Sequence, residues 1–198
     1  LIRRGREPRV GITVSDTTIT LRITASGPDE AACLQAMEPT IAQIRDSLGV
    51  LVFGEEEDEL QQAVVRLLDE RRKSVAVAES ASDGLVSYWL ADAAGESDCF
   101  RGGEIVRDAT DDVAEMARAI RERSGADYGL AIGGWPDTEL PTKLARSEEL
   151  AGELPIAVAA GENVRVKHCP LSGHPALVRT CVAKQALNLL RLTLLNQE

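Results

Sequence analysis

Several groups of residues in this chain have the types and spacing to do chemistry. The first is Ala78-Glu79-Ser80-Ala81-Ser82-Asp83-Gly84, where hydroxyls and carboxylates crowd a short turn between two apolar stretches. Ser80, given a base to take its proton, would attack an acyl or amide carbonyl. The N–H groups opening a following helix would receive an anion. The acid run Glu55-Glu56-Glu57-Asp58-Glu59 invites a cation, but acids at a helix start are already explained by the macrodipole and a solvated face. His168, Cys169 and His174 are ligand types at a spacing that matches no common zinc pattern, so no metal is expected there. Cys33, Cys99, Cys169 and Cys181 form no C-x-x-C pair and frame no small secreted domain, which points to a reducing cytoplasm.

Ser80 is positioned only if its neighbours fold as strand, turn and helix. Val75-Ala76-Val77-Ala78 supplies a strand run, and Leu85, Val86, Trp89 and Leu90 recur at helical spacing. The bland alternative, Ser80 or Ser82 as helix N-cap with Asp83 in the first turn, needs no catalysis. From Ser74 onward strands and helices alternate: Ser74 to Ala78, a helix to about Ala93, Gly103 to Val106, a helix from Asp112, then Tyr128 to Ile132. Such alternation requires crossover connections and a largely parallel sheet. Val113, Met116, Ala117 and Ile120 mark the buried face of the middle helix. Leu154 to Ala159 and Val164 to Cys169, joined by Gly161-Glu162-Asn163, read as a hairpin that makes the sheet mixed. The last helix starts near His174-Pro175 and buries Leu177, Cys181, Leu187, Leu190 and Leu194. Between Gly133 and Leu150 a polar, Pro-containing loop is long enough for a lid or a surface excursion.

Upstream, Val10 to Val14 and Thr17 to Ile23 read as a hairpin. Ser26-Gly27-Pro28-Asp29 reads as a helix start, followed by the stripe Leu34, Met37, Ile41, Ile44 and Leu48, with Pro39 kinking or dividing it and Gly49 ending it. Val50 to Phe53 is a short strand candidate; Leu60, Val64, Leu67 and Leu68 mark a further helix. The expected organisation is therefore α/β throughout: a small β/α domain over residues 1–72, then a three-layer α/β domain over 73–198 with a mixed, largely parallel sheet.

Composition narrows the partners. The 198 residues are 44% hydrophobic but only 3% aromatic, so base-stacking platforms are scarce; 32 acidic against 22 basic residues give a net charge of −10 that repels phosphate backbones. Nucleic acid is not an expected partner. Arg3, Arg4, Arg6 and Arg9 cluster, but as a solvated terminal arm. No run approaches the roughly 18 apolar residues that span a bilayer, so no membrane is expected.

Two stretches together resemble the CinA family of competence/damage-inducible proteins. Arg4-Gly5-Arg6-Glu7-Pro8 with Val10-Gly11-Ile12-Thr13, Leu48-Gly49 and Val52-Phe53-Gly54-Glu55 is similar to that family's KH-type middle domain. Ala78-Glu79-Ser80, Phe100-Arg101-Gly102-Gly103, Gly125-Ala126-Asp127-Tyr128-Gly129-Leu130-Ala131 and the terminal helix resemble its C-terminal nicotinamide mononucleotide amidohydrolase domain. The resemblance implies Ser80 as nucleophile, Ser82, Gly84, Gly102, Gly103, Gly134 and Arg179 as substrate-binding residues, a nicotinamide nucleotide as ligand, no cofactor, and a homodimer. Full-length members carry an upstream molybdopterin-binding-like domain, and Leu1 in place of Met fits a chain from which it is missing.

The motif is incomplete here. Where the family has approximately Ala-Glu-Ser-Cys-Thr-Gly-Gly, Ala81 replaces Cys, Ser82 replaces Thr and Asp83 replaces the first Gly. By direct register the family's assisting Tyr and Lys fall on Arg107 and Asp112; alternatively that whole segment is deleted and the middle helix follows at once, and either way the lysine is absent. The family's third element has shrunk to Gly133-Gly134-Trp135-Pro136-Asp137. Near the C-terminus only Gly173 and Arg179 are kept. The leading expectation is a catalytically degenerate amidohydrolase-like domain serving assembly or regulation. The alternatives are an active deamidase in which Asp108 or His168 replaces the base, and a nucleotide sensor that does not hydrolyse.

Overall fold

A computed structural model describes residues 5–15, 17–107, 112–135, 152–171 and 175–196. The chain divides into two compact units, Leu1–Glu55 and Glu56–Glu198.

In the first unit, β1 (Arg9–Ser15) and β2 (Thr18–Thr24) pair antiparallel with Ile12 opposite Leu21 and Val14 opposite Ile19. α1 runs unbroken over Glu30–Leu48, with Pro39 inside it. The expected start at Ser26 is displaced: Asp29 is the cap, and its carboxylate accepts the Ala32 N–H at 2.8 Å. Of the predicted apolar stripe, Ile44 is buried while Leu34 is 55% exposed. Val50 to Phe53 form no strand; Gly49–Leu51 are a turn of 3-10 helix. Arg6, expected in a solvated arm, donates to the buried Thr40 hydroxyl at 2.9 Å.

The second unit is a five-stranded sheet in the order β4-β3-β5-β6-β7: β3 (Val75–Glu79), β4 (Phe100–Ile105), β5 (Tyr128–Ile132), β6 (Glu153–Ala160) and β7 (Asn163–Pro170). β4, β3 and β5 are parallel, and β6 and β7 complete the sheet antiparallel, as expected for a mixed sheet. The helices are α2 (Leu60–Arg71), α3 (Leu85–Ala94), α4 (Val113–Ser124) and α5 (Pro175–Leu195). α2, expected within a domain ending at residue 72, packs against α3 and α5 and belongs to the second unit.

β3 is buried along its whole length, so its alternation is one of size and not of polarity. Ala76 and Ala78 pack on Ile120 of α4, while Ala131, Ala157 and Ala159 meet Val113 and Ala117. The alanine face lets α4 approach closely: a Cβ on Gly129 would lie 1.9 Å from the Ala117 carbonyl oxygen. The opposite face turns to α3, where a Cβ on Gly103 would lie 2.0 Å from Ser87 Oγ. In α5, Leu187, Leu190 and Leu194 are fully buried as read from their spacing, but Leu177 is 46% exposed.

At the amino ends of the strands, Asp127 ties β5 to β3. Its carboxylate accepts from Lys73 Nζ at 2.8 Å and from the Ser74 N–H and hydroxyl at 2.9 and 3.0 Å. Burial pushes this carboxyl up, but those donors and the Lys73 charge outweigh it and hold Asp127 below the usual carboxylate range.

Candidate functional site

The crossover from β3 through α3 to β4 runs to one side of β3, and that from β4 through α4 to β5 returns across it. Their reversal makes the carboxyl end of β3 a topological switch point, the position where open α/β sheets hold ligands. Ser80 follows β3 at that point and is partly exposed. Its N–H donates to the Ile132 carbonyl at 3.0 Å, and the next amide, of Ala81, donates to Gly133 O at 3.1 Å. Ser80 and the Gly133-Gly134 segment are thus brought together.

The turn is built around Glu79. This carboxylate has no exposed surface; its Oε2 accepts the Ser82 hydroxyl at 2.6 Å and the Val86 N–H at 3.0 Å, and its Oε1 accepts the Ser87 N–H at 2.7 Å together with the Ser87 hydroxyl. It therefore caps α3 from the end of the preceding strand, satisfying amides that open the helix. Sequence reading missed Glu79 as the organising residue. The signal present was a carboxylate closing an all-apolar strand, a group that is buried only when fully hydrogen-bonded.

The other expected site residues are found in the turn, in β4 and in α5. Ser82, read as substrate-binding, is fully buried with its hydroxyl committed to Glu79. Neither Ser80 nor Ser82 is the side-chain cap of α3; Gly84 occupies the N-cap with φ +88. Asp83 precedes it in the left-handed region at φ +51. Gly103 is the close-packing position against Ser87 already described, and Gly102, at φ +111, lies where the β3–β4 register shifts. Arg179, on the first turns of α5, reaches the turn after β3, where its Nη2 lies 2.7 Å from Asp83 Oδ2, both side chains about half exposed.

Among the described residues Ser80 Oγ makes no hydrogen bond. Of the replacement bases weighed, Asp108 lies outside the described residues, as does His174. His168 is on edge strand β7, three strand positions from β3 and so roughly 14 Å away across the sheet, too far to take the Ser80 proton. Cys99 and Cys169 are buried, and burial pushes both thiols up, away from nucleophilic use. Among the described residues no three His, Cys, Asp or Glu side chains are grouped to hold a metal, and no helix is long and apolar enough to cross a membrane.

Lys184 of α5 links the helices behind the sheet's site end: α3 and α2. It is buried, lies 5.3 Å from the Trp89 ring centroid and pairs with Glu59, the N-cap of α2. The acid run thus ends in a cap and an ion pair.

Comparison with known proteins matches residues 1–54 to the family model "Damage-inducible protein CinA KH domain" and residues 57–110 and 109–194 to "CinA C-terminal domain". A putative competence-damage inducible protein of Thermoanaerobacter pseudethanolicus is 31% identical over 95% of this chain, and a CinA-like protein of Frankia casuarinae is 31% identical over 96%. These alignments cover 50% and 48% of the relatives, so the chain spans about half the length of the curated relatives it matches. The fold is shared with a CinA superfamily protein of Klebsiella pneumoniae (TM-score 0.59, 20% identity, 71% of this chain and 99% of that one). It is shared also with one of Escherichia coli (TM-score 0.57, 20% identity, 73% and 98%).

Proposed function

The chain belongs to the CinA family, and we propose that its second unit is an amidohydrolase-like domain that holds an amide ligand without cleaving it, serving regulation or assembly. The observation that carries this reading is the state of Ser80: partly exposed at the carboxyl end of the central parallel strand, with no base on its Oγ among the described residues. A serine hydroxyl attacks an amide only when a base removes its proton, and losing a positioned base costs on the order of a hundred to ten thousand fold. Ser82 and Arg179, which the resemblance gives as substrate-binding residues, are paired here with Glu79 and Asp83.

The frame around Ser80 is intact, which supports a retained ligand site. Glu79 holds the turn, and Ser80 and Ala81 are fastened to the end of β5. The class of ligand follows from the family resemblance, a nicotinamide derivative; homodimerisation and a cytoplasmic setting belong to the same proposal. Two measurements test it together: ammonia release from nicotinamide mononucleotide, and calorimetric titration with nicotinamide derivatives. Saturable binding of a nicotinamide derivative without ammonia is the expected result. Ammonia release that Ser80→Ala abolishes would overturn the reading.

A further inference from the structure

β7 is the outer strand of the five-stranded sheet, and among the described residues no strand pairs with its free side. Antiparallel strands turn alternate residues toward one neighbour and then the other. The Gly133 N–H donates to Pro155 O, so Pro155, Ala157 and Ala159 of β6 turn toward β5. Their opposites on β7, His168, Val166 and Val164, therefore direct their N–H and C=O groups away from the sheet. An edge of this kind is a template for one more strand.

Charge decides what that strand can be. β7 carries Arg165 and Lys167 and no acid, in a chain of net charge −10. Elsewhere in the second unit Arg66, Lys73, Arg118, Arg123, Arg179 and Lys184 each meet a carboxylate. Arg165 and Lys167 meet only neutral oxygens of α5 among the described residues: Arg165 Nη1 lies 3.4 Å from Thr193 Oγ1, and Lys167 Nζ 3.1 Å from Gln185 Oε1. On the other face Val164 is partly buried against Val113 and Ala117 of α4, and Val166 is 47% exposed. A second copy does not suit this edge. In the two antiparallel registers that overlap the strand most, a two-fold axis sets Arg165 opposite Lys167, or Lys167 opposite itself, and like charges facing each other oppose pairing.

We propose that the β7 edge binds an extended acidic segment of a partner protein, added to the sheet as a sixth strand. The outward groups of Val164, Val166 and His168 supply the ladder. Carboxylates two residues apart on the added strand share a face, and on the α5 side they meet Arg165 and Lys167. The apolar side chain between them covers Val166 on the opposite face. The two cations thus reject a second β7 and accept an acidic strand, which is selectivity by charge at one edge. The edge lies three strand positions from β3, so this inference is independent of the reading of Ser80.

The experiment titrates the full chain with two synthetic peptides, acetyl-Thr-Glu-Val-Glu-Val-Thr-amide and the same peptide with Lys in place of both Glu, and follows backbone amide exchange by NMR. The acidic peptide is expected to bind with a Kd below about 1 mM, at least about tenfold more tightly than its Lys counterpart. At saturation it is expected to slow exchange at the amides of Val164, Val166 and His168, which a cation contact without strand addition would not do. Arg165→Gln combined with Lys167→Gln changes only exposed side chains and is expected to lower affinity at least about tenfold. Val166→Pro removes one outward donor and no bond to β6, as prolines on edge strands do, and is expected to abolish binding. Equal binding of the two peptides, no binding up to about 1 mM, or binding that leaves the three amides unprotected would overturn the proposal. So would displacement of the peptide by oligothymidylate, or a wild-type dimer that Val166→Pro dissociates, because the edge would then belong to nucleic acid or to a second copy.

Discussion

Glu79 and Ser87 are bonded twice: the Glu79 carboxylate accepts both the N–H and the hydroxyl of Ser87 across the strand-to-helix turn, with the amide at 2.7 Å. With Ser82 and Val86 on the other oxygen, every lone-pair direction of a fully buried carboxylate is used. Glu79→Gln keeps the volume but turns one oxygen into a donor facing donors. We expect it to destabilise the second unit by about 2–4 kcal/mol. Urea unfolding followed by Trp89 and Trp135 fluorescence measures this; a change under about 0.5 kcal/mol would show that Glu79 does not organise the turn.

The two serines of the motif separate cleanly. Ser82→Ala removes a buried donor to Glu79 and should cost about 1–3 kcal/mol, whereas Ser80→Ala removes a hydroxyl without a bond among the described residues and should stay within about 0.5 kcal/mol of wild type. Equal losses at both positions would contradict the assignment of Ser82 to the frame and of Ser80 to the open end of β3.

Much of the frame was legible in the residues. The Val/Ala alternation of β3, the stripe Val113, Ala117 and Ile120, and the run Tyr128 to Ile132 each report their own element, because local period and burial agree there. Asp29 displaced Ser26 as cap because the competition between neighbouring polar residues is decided by backbone geometry, which types do not reveal. Val50 to Phe53 failed as a strand because no partner strand receives it, and strand propensity depends on its neighbours. Ser82 looked like a ligand contact and Arg179 like a free cation because their partners, Glu79 and Asp83, become neighbours only through the fold.

Gly129 and Gly103 make a graded test of packing. An alanine at Gly129 would drive its Cβ into the Ala117 backbone carbonyl of α4, which can yield only if the helix shifts. At Gly103 the obstacle is the Ser87 side chain: its Oγ can rotate away at the cost of its bond to Glu79, while its Cβ, 2.9 Å off, is relieved by a small shift of α3. We expect Gly129→Ala to cost more than about 3 kcal/mol and Gly103→Ala about 1–3 kcal/mol, read from unfolding midpoints. The reverse order would contradict the layer assignment.

Asp127 links stability to pH. Its folded-state carboxyl lies below the usual range, so the unfolded chain binds its proton first as pH falls. The stabilisation is fully present above about pH 4, the ordinary carboxylate value, and is lost as pH drops through the lower folded value. Asp127→Asn should therefore be less stable than wild type by about 1–2 kcal/mol at pH 7, with the gap closing below about pH 4. Unfolding curves of both proteins between pH 7 and pH 3 measure it; a gap independent of pH would remove the Asp127 charge from the account.

The central claim is that Ser80 sits in a preserved frame without the means to cleave an amide. The most direct measurement is ammonia released from nicotinamide mononucleotide, and from its riboside, by the wild-type chain and by Ser80→Ala at equal concentration. The account predicts that neither protein releases ammonia above the uncatalysed background. Release by the wild type that disappears in Ser80→Ala would contradict it.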